Sequence, residues 1–244
     1  MLFKGCVGEG LFARVNQATS RVLQVNGFSV EAPLNQVCCG ALHAHAGDLD
    51  GARKLARKNI RAFGNSSEPI VTNAGGCGAM LASYGHIVDE PEAHQFSARV
   101  RDVGQQLTTA PQLKSAKIDK IDKIVLGPTT YDTSCHLLYG QRAGDASLKM
   151  LDSIPNLDFK PLGGTERCCG GAGIYNLLEP EMSASVLDEK LANIKETGAK
   201  ILATGNAGCQ MQIGAGACLS GMSLRVCHPV ELLDESYERA GVYR

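Results

Sequence analysis

The 244-residue chain contains no run approaching the roughly 20 apolar residues that a membrane span requires. Its start, Met1-Leu2-Phe3-Lys4-Gly5-Cys6, has no apolar stretch long enough for a signal peptide. It also lacks a basic run or stripe. Lys and Arg (24) balance Asp and Glu (25) to a net charge of −1, and the two signs are interspersed, which argues against nucleic acid as a partner. Closely spaced C-x₂₋₄-C knuckles, the usual mark of structural zinc, are missing. A shortage of core is missing too: the length suits one large domain or two of roughly 120 residues, so no disulfide staples are needed. These absences point to a cytoplasmic protein. In a reducing compartment, clustered thiols hold metal or do redox work more often than they form disulfides; disulfides in a periplasmic setting are the alternative.

What the chain does have is cysteine, ten in all, and eight of them form two copies of one pattern. Cys6, Cys38-Cys39-Gly40 and Cys77 make the first copy; Cys135, Cys168-Cys169-Gly170 and Cys209 make the second. Equivalent positions are separated by 129 (135 − 6), 130 (168 − 38), 130 (169 − 39) and 132 (209 − 77) residues. Scattered structural cysteines would not keep a common offset at four positions. Adjacent cysteines rarely bond to each other, because the ring they close is strained. Each half therefore offers four thiolates, a soft donor set suited to a metal or an iron–sulfur cluster.

Around these cysteines the apolar pattern alternates between strand and helix periods. Strands are expected at 1–5, 28–32, 69–73, 123–127, 157–161, 199–205 and 224–227. Helices are expected at 11–26, at 48–63 behind the cap Asp48, at 92–107, 136–150, 180–196 between Pro180 and Gly198, and 230–240. The Lys-rich stretch up to residue 122 reads as a linker, giving repeats at 1–110 and 123–244 joined by 111–122. The fold class that follows is α/β: two pseudo-twofold-related, Rossmann-like repeats with parallel sheets, each carrying cysteines at the carboxyl ends of its strands.

Glycines flank the ligands, among them Gly40, Gly76, Gly170 and Gly171, and would let backbone N–H groups approach cluster sulfides. His43 and His136 adjoin the ligand loops and are candidates for hydrogen bonds to the site or a proton relay. His45, His86 and His228 also lie near the cysteine loops. Cys218 and Cys227 stand outside both repeats and read as small buried hydrophobes. Gly8-x-Gly10-x-x-Ala13 imitates a dinucleotide fingerprint, but Cys6 occupies the strand end where a pyrophosphate would approach, and the second half has no such glycine pair.

The stretches Cys38-Cys39-Gly40-Ala41-Leu42-His43, Gly76-Cys77-Gly78-Ala79, Cys168-Cys169-Gly170-Gly171-Ala172-Gly173, Ala207-Gly208-Cys209-Gln210 and His228-Pro229-Val230-Glu231 resemble the paired cysteine-rich "CCG" domains. That family includes the cysteine-rich subunit of heterodisulfide reductase, the lactate-utilisation iron–sulfur proteins and the C-terminal half of the glycolate oxidase iron–sulfur subunit. The resemblance implies one or two [4Fe–4S] clusters, cubane or non-cubane, on Cys6, Cys38, Cys39, Cys77, Cys135, Cys168, Cys169 and Cys209, with zinc as the lesser occupant. It implies an electron-transfer subunit serving a flavin-dependent glycolate or lactate dehydrogenase. The expected partners are a flavoprotein subunit and a ferredoxin-like iron–sulfur subunit in a hetero-oligomer. The alternative is a heterodisulfide-reductase-like subunit that cleaves or forms a disulfide at a cluster. Two departures bear on that choice. The fullest family pattern ends each repeat in C-x-x-C, and here Met80 and Gln212 hold those positions; the ferredoxin run C-x₂-C-x₂-C-x₃-C-P is absent.

Overall fold

In the computed structural model, which describes residues 1–110 and 126–243, the cysteine repeat is carried by two copies of one small α/β unit. Strands β1 (Leu2–Phe3), β2 (Ile70–Thr72) and β3 (Val100–Asp102) form a parallel sheet in that order. Strands β4 (Thr129–Asp132), β5 (Ile201–Thr204) and β6 (Arg225–Cys227) form another with the same connectivity. The central strands, Ile-Val-Thr in β2 and Ile-Leu-Ala-Thr in β5, are buried throughout, as expected where helices cover both faces. In register, Phe3 lies opposite Thr72 and Asp132 opposite Thr204. The first cysteine of each set follows its strand by three residues (Phe3 to Cys6, Asp132 to Cys135). The last follows by five (Thr72 to Cys77, Thr204 to Cys209). Both sets thus leave the carboxyl edge of a parallel sheet, where ligands collect in this class of fold.

The helices explain themselves locally. Asp48 caps Leu49–Phe63 by accepting the Gly51 N–H at 2.8 Å, and Pro180 opens Pro180–Glu196. Other expectations are corrected. The stretch 92–107 is not one helix: Pro91–Arg99 ends at β3, and Asp102 then starts Val103–Thr108 with a capping box that includes Gln105. The stretch 136–150 divides into a wide π turn, His136–Gly140, and the helix Gly144–Asp152. The expected helix 11–26 is Ala13–Val25, preceded by the short helix Cys6–Leu11. Residues 28–32 run extended without a ladder, tied to β1 by the Leu2 N–H donating to Glu31 O at 2.7 Å. Residues 157–161 make only a bridge between Phe159 and Thr129. The expected linker 111–122 and residues 123–125 of the expected strand lie outside the described residues; the strand of that region is β4, beginning at Thr129. No helix among the described residues is long and apolar enough to cross a membrane.

Each half has its own apolar core, and a third core is shared. Val15, Val22 and Leu23 of the first half pack with Val230, Leu233 and Tyr237 of the last helix, Pro229–Arg239. Arg21 Nε donates to Asp234 Oδ1 at 2.9 Å across the same contact. The reciprocal contact joins Val103–Thr108 of the first half to Gly144–Asp152 of the second, where Gly104 sits so close that an added Cβ would lie 2.9 Å from the Ala146 carbonyl carbon. The helix Gly75–Ala82, which carries Cys77, packs against the π turn behind Cys135, with Gly75 directly over the Leu137 backbone. This docking brings the two carboxyl edges face to face.

Candidate functional site

The Cys-Cys-Gly turns are built alike. Gly40 and Gly170 both adopt φ of +86°, a left-handed conformation that a side chain disfavours. In each turn the glycine N–H is directed at the sulfur two residues earlier, at 3.5 Å for Cys38 and 3.3 Å for Cys168. What holds the turns differs. In the first half Asn59 accepts the Val37 N–H (2.8 Å) and donates to Cys38 O (3.1 Å) and Tyr84 Oη (3.0 Å). Tyr84 Oη in turn donates to Cys39 O (2.8 Å). In the second half Ser183 Oγ donates to Gly170 O (2.9 Å), and Lys190 Nζ donates to Gly164 O (2.8 Å) in the approach to the turn.

All ten cysteines are free thiols. Within each set they converge: Cys6 on Cys38 at 3.4 Å, Cys39 on Cys77 at 3.3 Å, Cys169 on Cys209 at 3.2 Å. Among the described residues no group of three or more His, Cys, Asp or Glu is disposed to hold a single metal ion; the sulfurs touch in pairs. Crowding sets their protonation. The Cys6 thiol, though exposed as a residue, is pushed up by partial desolvation and then by its neighbour Cys38. In the second set, the neighbouring Cys168 holds the Cys135 thiol above the ordinary range, and Cys168 with Cys209 does the same to Cys169; Cys168, beside Cys135 and Cys169, and Cys209, beside Cys169, are pulled below it. Four thiolates cannot coexist at this spacing without positive charge between them. The donor set therefore fits a cationic metal or an iron–sulfur core, and Cys6, Cys38, Cys39, Cys77 on one side and Cys135, Cys168, Cys169, Cys209 on the other would hold it.

Both sets open onto one cavity of ≈ 430 Å³, whose wall includes all eight of these cysteines together with Gly76, Gly171, His45, His136, Asn206 and Gln212. Asn206 stitches the two edges together: its Oδ1 accepts the Gly76 N–H at 3.1 Å and its Nδ2 lies 3.4 Å from Cys209 Sγ. A backbone bond from Gly75 N–H to Gly205 O, 2.9 Å, runs beside it.

The histidines separate. His136 lies on the cavity wall with Nδ1 3.6 Å from Cys135 Sγ; burial, and then the neighbouring His45, depress its pKa. His45 stands edge-on to it at 5.7 Å between ring centres. His43 turns away, with Nδ1 2.8 Å from the Asp48 carboxylate, and is not part of the wall. Gly40 and Gly170 likewise form the turns without lining the cavity. Met80 is buried in the first core, whereas Gln212 is on the wall, bonded to Asn176 and to Ser183. Cys227 is fully buried and Cys218 is exposed.

The sequence patterns of known families decide the relationship. The family described as "CCG: Cysteine-rich domain" matches residues 1–82 and 129–214, once in each half. The chain belongs to this cysteine-rich family. Among its relatives is the "Probable glycolate oxidase iron-sulfur subunit" of Bacillus subtilis, 37% identical over 98% of this chain and 54% of that protein. The chain thus spans about half the length of that relative. "Lactate utilization protein A" of Oceanobacillus iheyensis is 32% identical over 97% of both chains, and the protein of that name from Shouchella clausii is 29% identical over 96% and 97%.

Proposed function

We propose that this chain is an iron–sulfur electron-transfer subunit of a multi-subunit oxidoreductase acting on a small 2-hydroxy acid such as glycolate or lactate. The observation that carries the reading is that both four-cysteine sets face one cavity, so two redox centres held there would be near neighbours. The names of the relatives supply the substrate class. A bound iron–sulfur cluster supplies one-electron chemistry. The chain's own residues would hold it and tune its potential. The glycine N–H groups of the turns lie against cysteine sulfur, and His136 and Asn206 flank the ligands Cys135 and Cys209. Among the described residues, none that lines the cavity carries a carboxylate. Hydride abstraction from the hydroxy acid falls to a flavoprotein partner, and a ferredoxin-like iron–sulfur subunit passes electrons to or from this one. A cytoplasmic setting fits free thiols at ten positions.

A second reading, disulfide cleavage at a cluster, draws support from the same cavity, which leaves an opening between the two sets. Against it stand Met80, buried in packing, and Gln212, held by Asn176 and Ser183, at the two places where a fifth cysteine would serve. The experiment is anaerobic purification, iron and sulfide analysis, and EPR of oxidised and reduced protein with and without an added thiol. About eight irons per chain and a reduced-state signal indifferent to thiol support electron transfer. An oxidised-state signal that changes with thiol supports the second reading. Zinc without sulfide overturns both.

A further inference from the structure

One side chain touches both halves of the site. Asn206 holds the N-cap place of the helix Ala207–Leu219, whose first turn carries Cys209. An asparagine there ordinarily accepts an N–H of its own first turn. Asn206 makes no such bond. Its Oδ1 instead accepts the Gly76 N–H of the first half (3.1 Å), and its Nδ2 lies 3.4 Å from Cys209 Sγ. The neighbouring glycines leave room for this: a Cβ at Gly76 would stand 3.3 Å from Asn206 Oδ1, and one at Gly208 would stand 3.4 Å from Nδ2.

The amide can point only one way. The Gly76 N–H needs an acceptor, which fixes Oδ1 toward the first half and turns the NH2 group toward the sulfur. Reversed, the amide would set donor against donor at Gly76 and offer an oxygen to a thiolate that can itself only accept. The first half has no counterpart. Ala74 holds the N-cap place of Gly75–Ala82, the helix that carries Cys77. The adjacent Asn73 is engaged elsewhere, its Nδ2 donating to Asn16 Oδ1 and Thr19 Oγ1 at 2.9 Å each. Cys209 thus has a side-chain N–H donor at the place where the helix of Cys77 begins with a methyl group. An N–H directed at a ligand sulfur eases the extra negative charge of a reduced centre and so raises its potential.

We propose that Asn206 is a positioning residue for the second four-cysteine site: it donates to the Cys209 sulfur and raises the reduction potential of that site, and Gly76 of the first half holds the donor in place. The inference rests on the iron–sulfur reading. No atom is transferred; the proton stays on Nδ2 as the centre takes up its electron.

The test uses the loaded full-length chain, isotopically labelled at the side-chain amide nitrogen of asparagine. Pulsed EPR of the reduced second centre is recorded in the wild-type chain and in Cys39→Ser, which leaves only the second set intact. A coupling to the labelled nitrogen is expected, and Asn206→Ala, which copies the residue of the first half, abolishes it. In a potentiometric titration the same substitution moves the second-site wave to lower potential. In Cys169→Ser, which leaves only the first set, it leaves the wave in place; a residue that merely stitched the halves together would move neither wave, or both alike. Asn206→Asp keeps the acceptor for Gly76 but removes the donor, and also lowers the second-site wave. Absence of the nitrogen coupling in the wild-type chain, a coupling that survives Asn206→Ala, or a second-site wave that neither substitution lowers overturns the inference while the iron–sulfur reading stands. A chain that takes up no iron and sulfide overturns that reading and the inference together.

Discussion

Replacing Gly170 by alanine tests whether the Cys-Cys-Gly turn is fixed by its seat on the following helix. Three glycines share nearly the same positive φ: Gly27 (+90°), Gly40 (+86°) and Gly170 (+86°). A Cβ at any of them incurs the left-handed penalty of about 1–2 kcal/mol. Their surroundings differ. At Gly27 an added Cβ meets nothing within 4 Å. At Gly40 it lies 3.3 Å from Ala52 Cα, a tight contact with a helix backbone. At Gly170 it lies 2.5 Å from the Ser183 carbonyl oxygen, so the helix Pro180–Glu196 or the turn has to move. Overpacking of this kind adds about 1–3 kcal/mol. The expected losses are therefore about 1–2 kcal/mol for Gly27→Ala and about 2–5 kcal/mol for Gly170→Ala, with Gly40→Ala between them. Denaturant titration of the metal-free chain measures all three on one scale, with equal slopes required for the comparison. If Gly170→Ala loses no more stability than Gly27→Ala, the seat on the helix is not what fixes the turn.

Three further outcomes follow from the same structure. Cys39→Ser and Cys169→Ser should each lower iron to about half of the wild-type content, because each set supplies one four-thiolate site; unchanged iron in either variant would remove that cysteine from the ligand set. Lys190→Met alone should cost about 3–5 kcal/mol, since it strands the buried Asp132 carboxylate, whereas Asp132→Asn/Lys190→Met should cost far less; a double-mutant cycle by denaturation decides. Asp102 is fully buried, and desolvation pushes its pKa up to about 7. The native state thus holds this proton more tightly than the unfolded chain, whose Asp titrates near 3.9. Stability from this group is complete below about pH 4 and is lost toward pH 7, by at most about 1.4 kcal/mol per pH unit. Asp102→Asn keeps the oxygen that accepts the Gly104 N–H, so its stability relative to wild type should climb across that window and level off above it; a flat difference between pH 4 and 8 refutes the assignment.

The eight cysteines were legible because a shared offset needs no knowledge of the fold. So were the helices Leu49–Phe63 and Pro180–Glu196, which announce their starts with Asp48 and Pro180. Residues 28–32 show what alternation can and cannot tell: Phe28, Val30 and Ala32 are less exposed than Ser29 and Glu31, as the pattern implied, but facing is not pairing. The strand β3 was hidden inside an apolar stretch of helical period, although Asp102-Val103-Gly104-Gln105 already carried a helix-start signal. Within the site, the single cavity depends on how the halves dock, which spacing within either half does not encode. Lys190 and Asn59 had a subtler mark. Each is a polar residue on the apolar stripe of its helix, beside Ile194 in one case and Ala56, Ile60 and Phe63 in the other. Such a residue is buried with work to do, and the loop carrying the Cys-Cys pair is what both hold.

The crossed helix contacts carry a consequence for ancestry. Ala13–Val25 of the first half rests on the final helix of the second, and Gly144–Asp152 of the second rests on Val103–Thr108 of the first. Exchange the halves and each contact becomes the other. In each contact a helix of one half covers an apolar flank of the other, as the two members of a twofold pair would. The present chain reads as that pair fused in tandem. Its members are not identical: the second holds the buried Asp132–Lys190 ion pair where the first has Phe3 at the equivalent place.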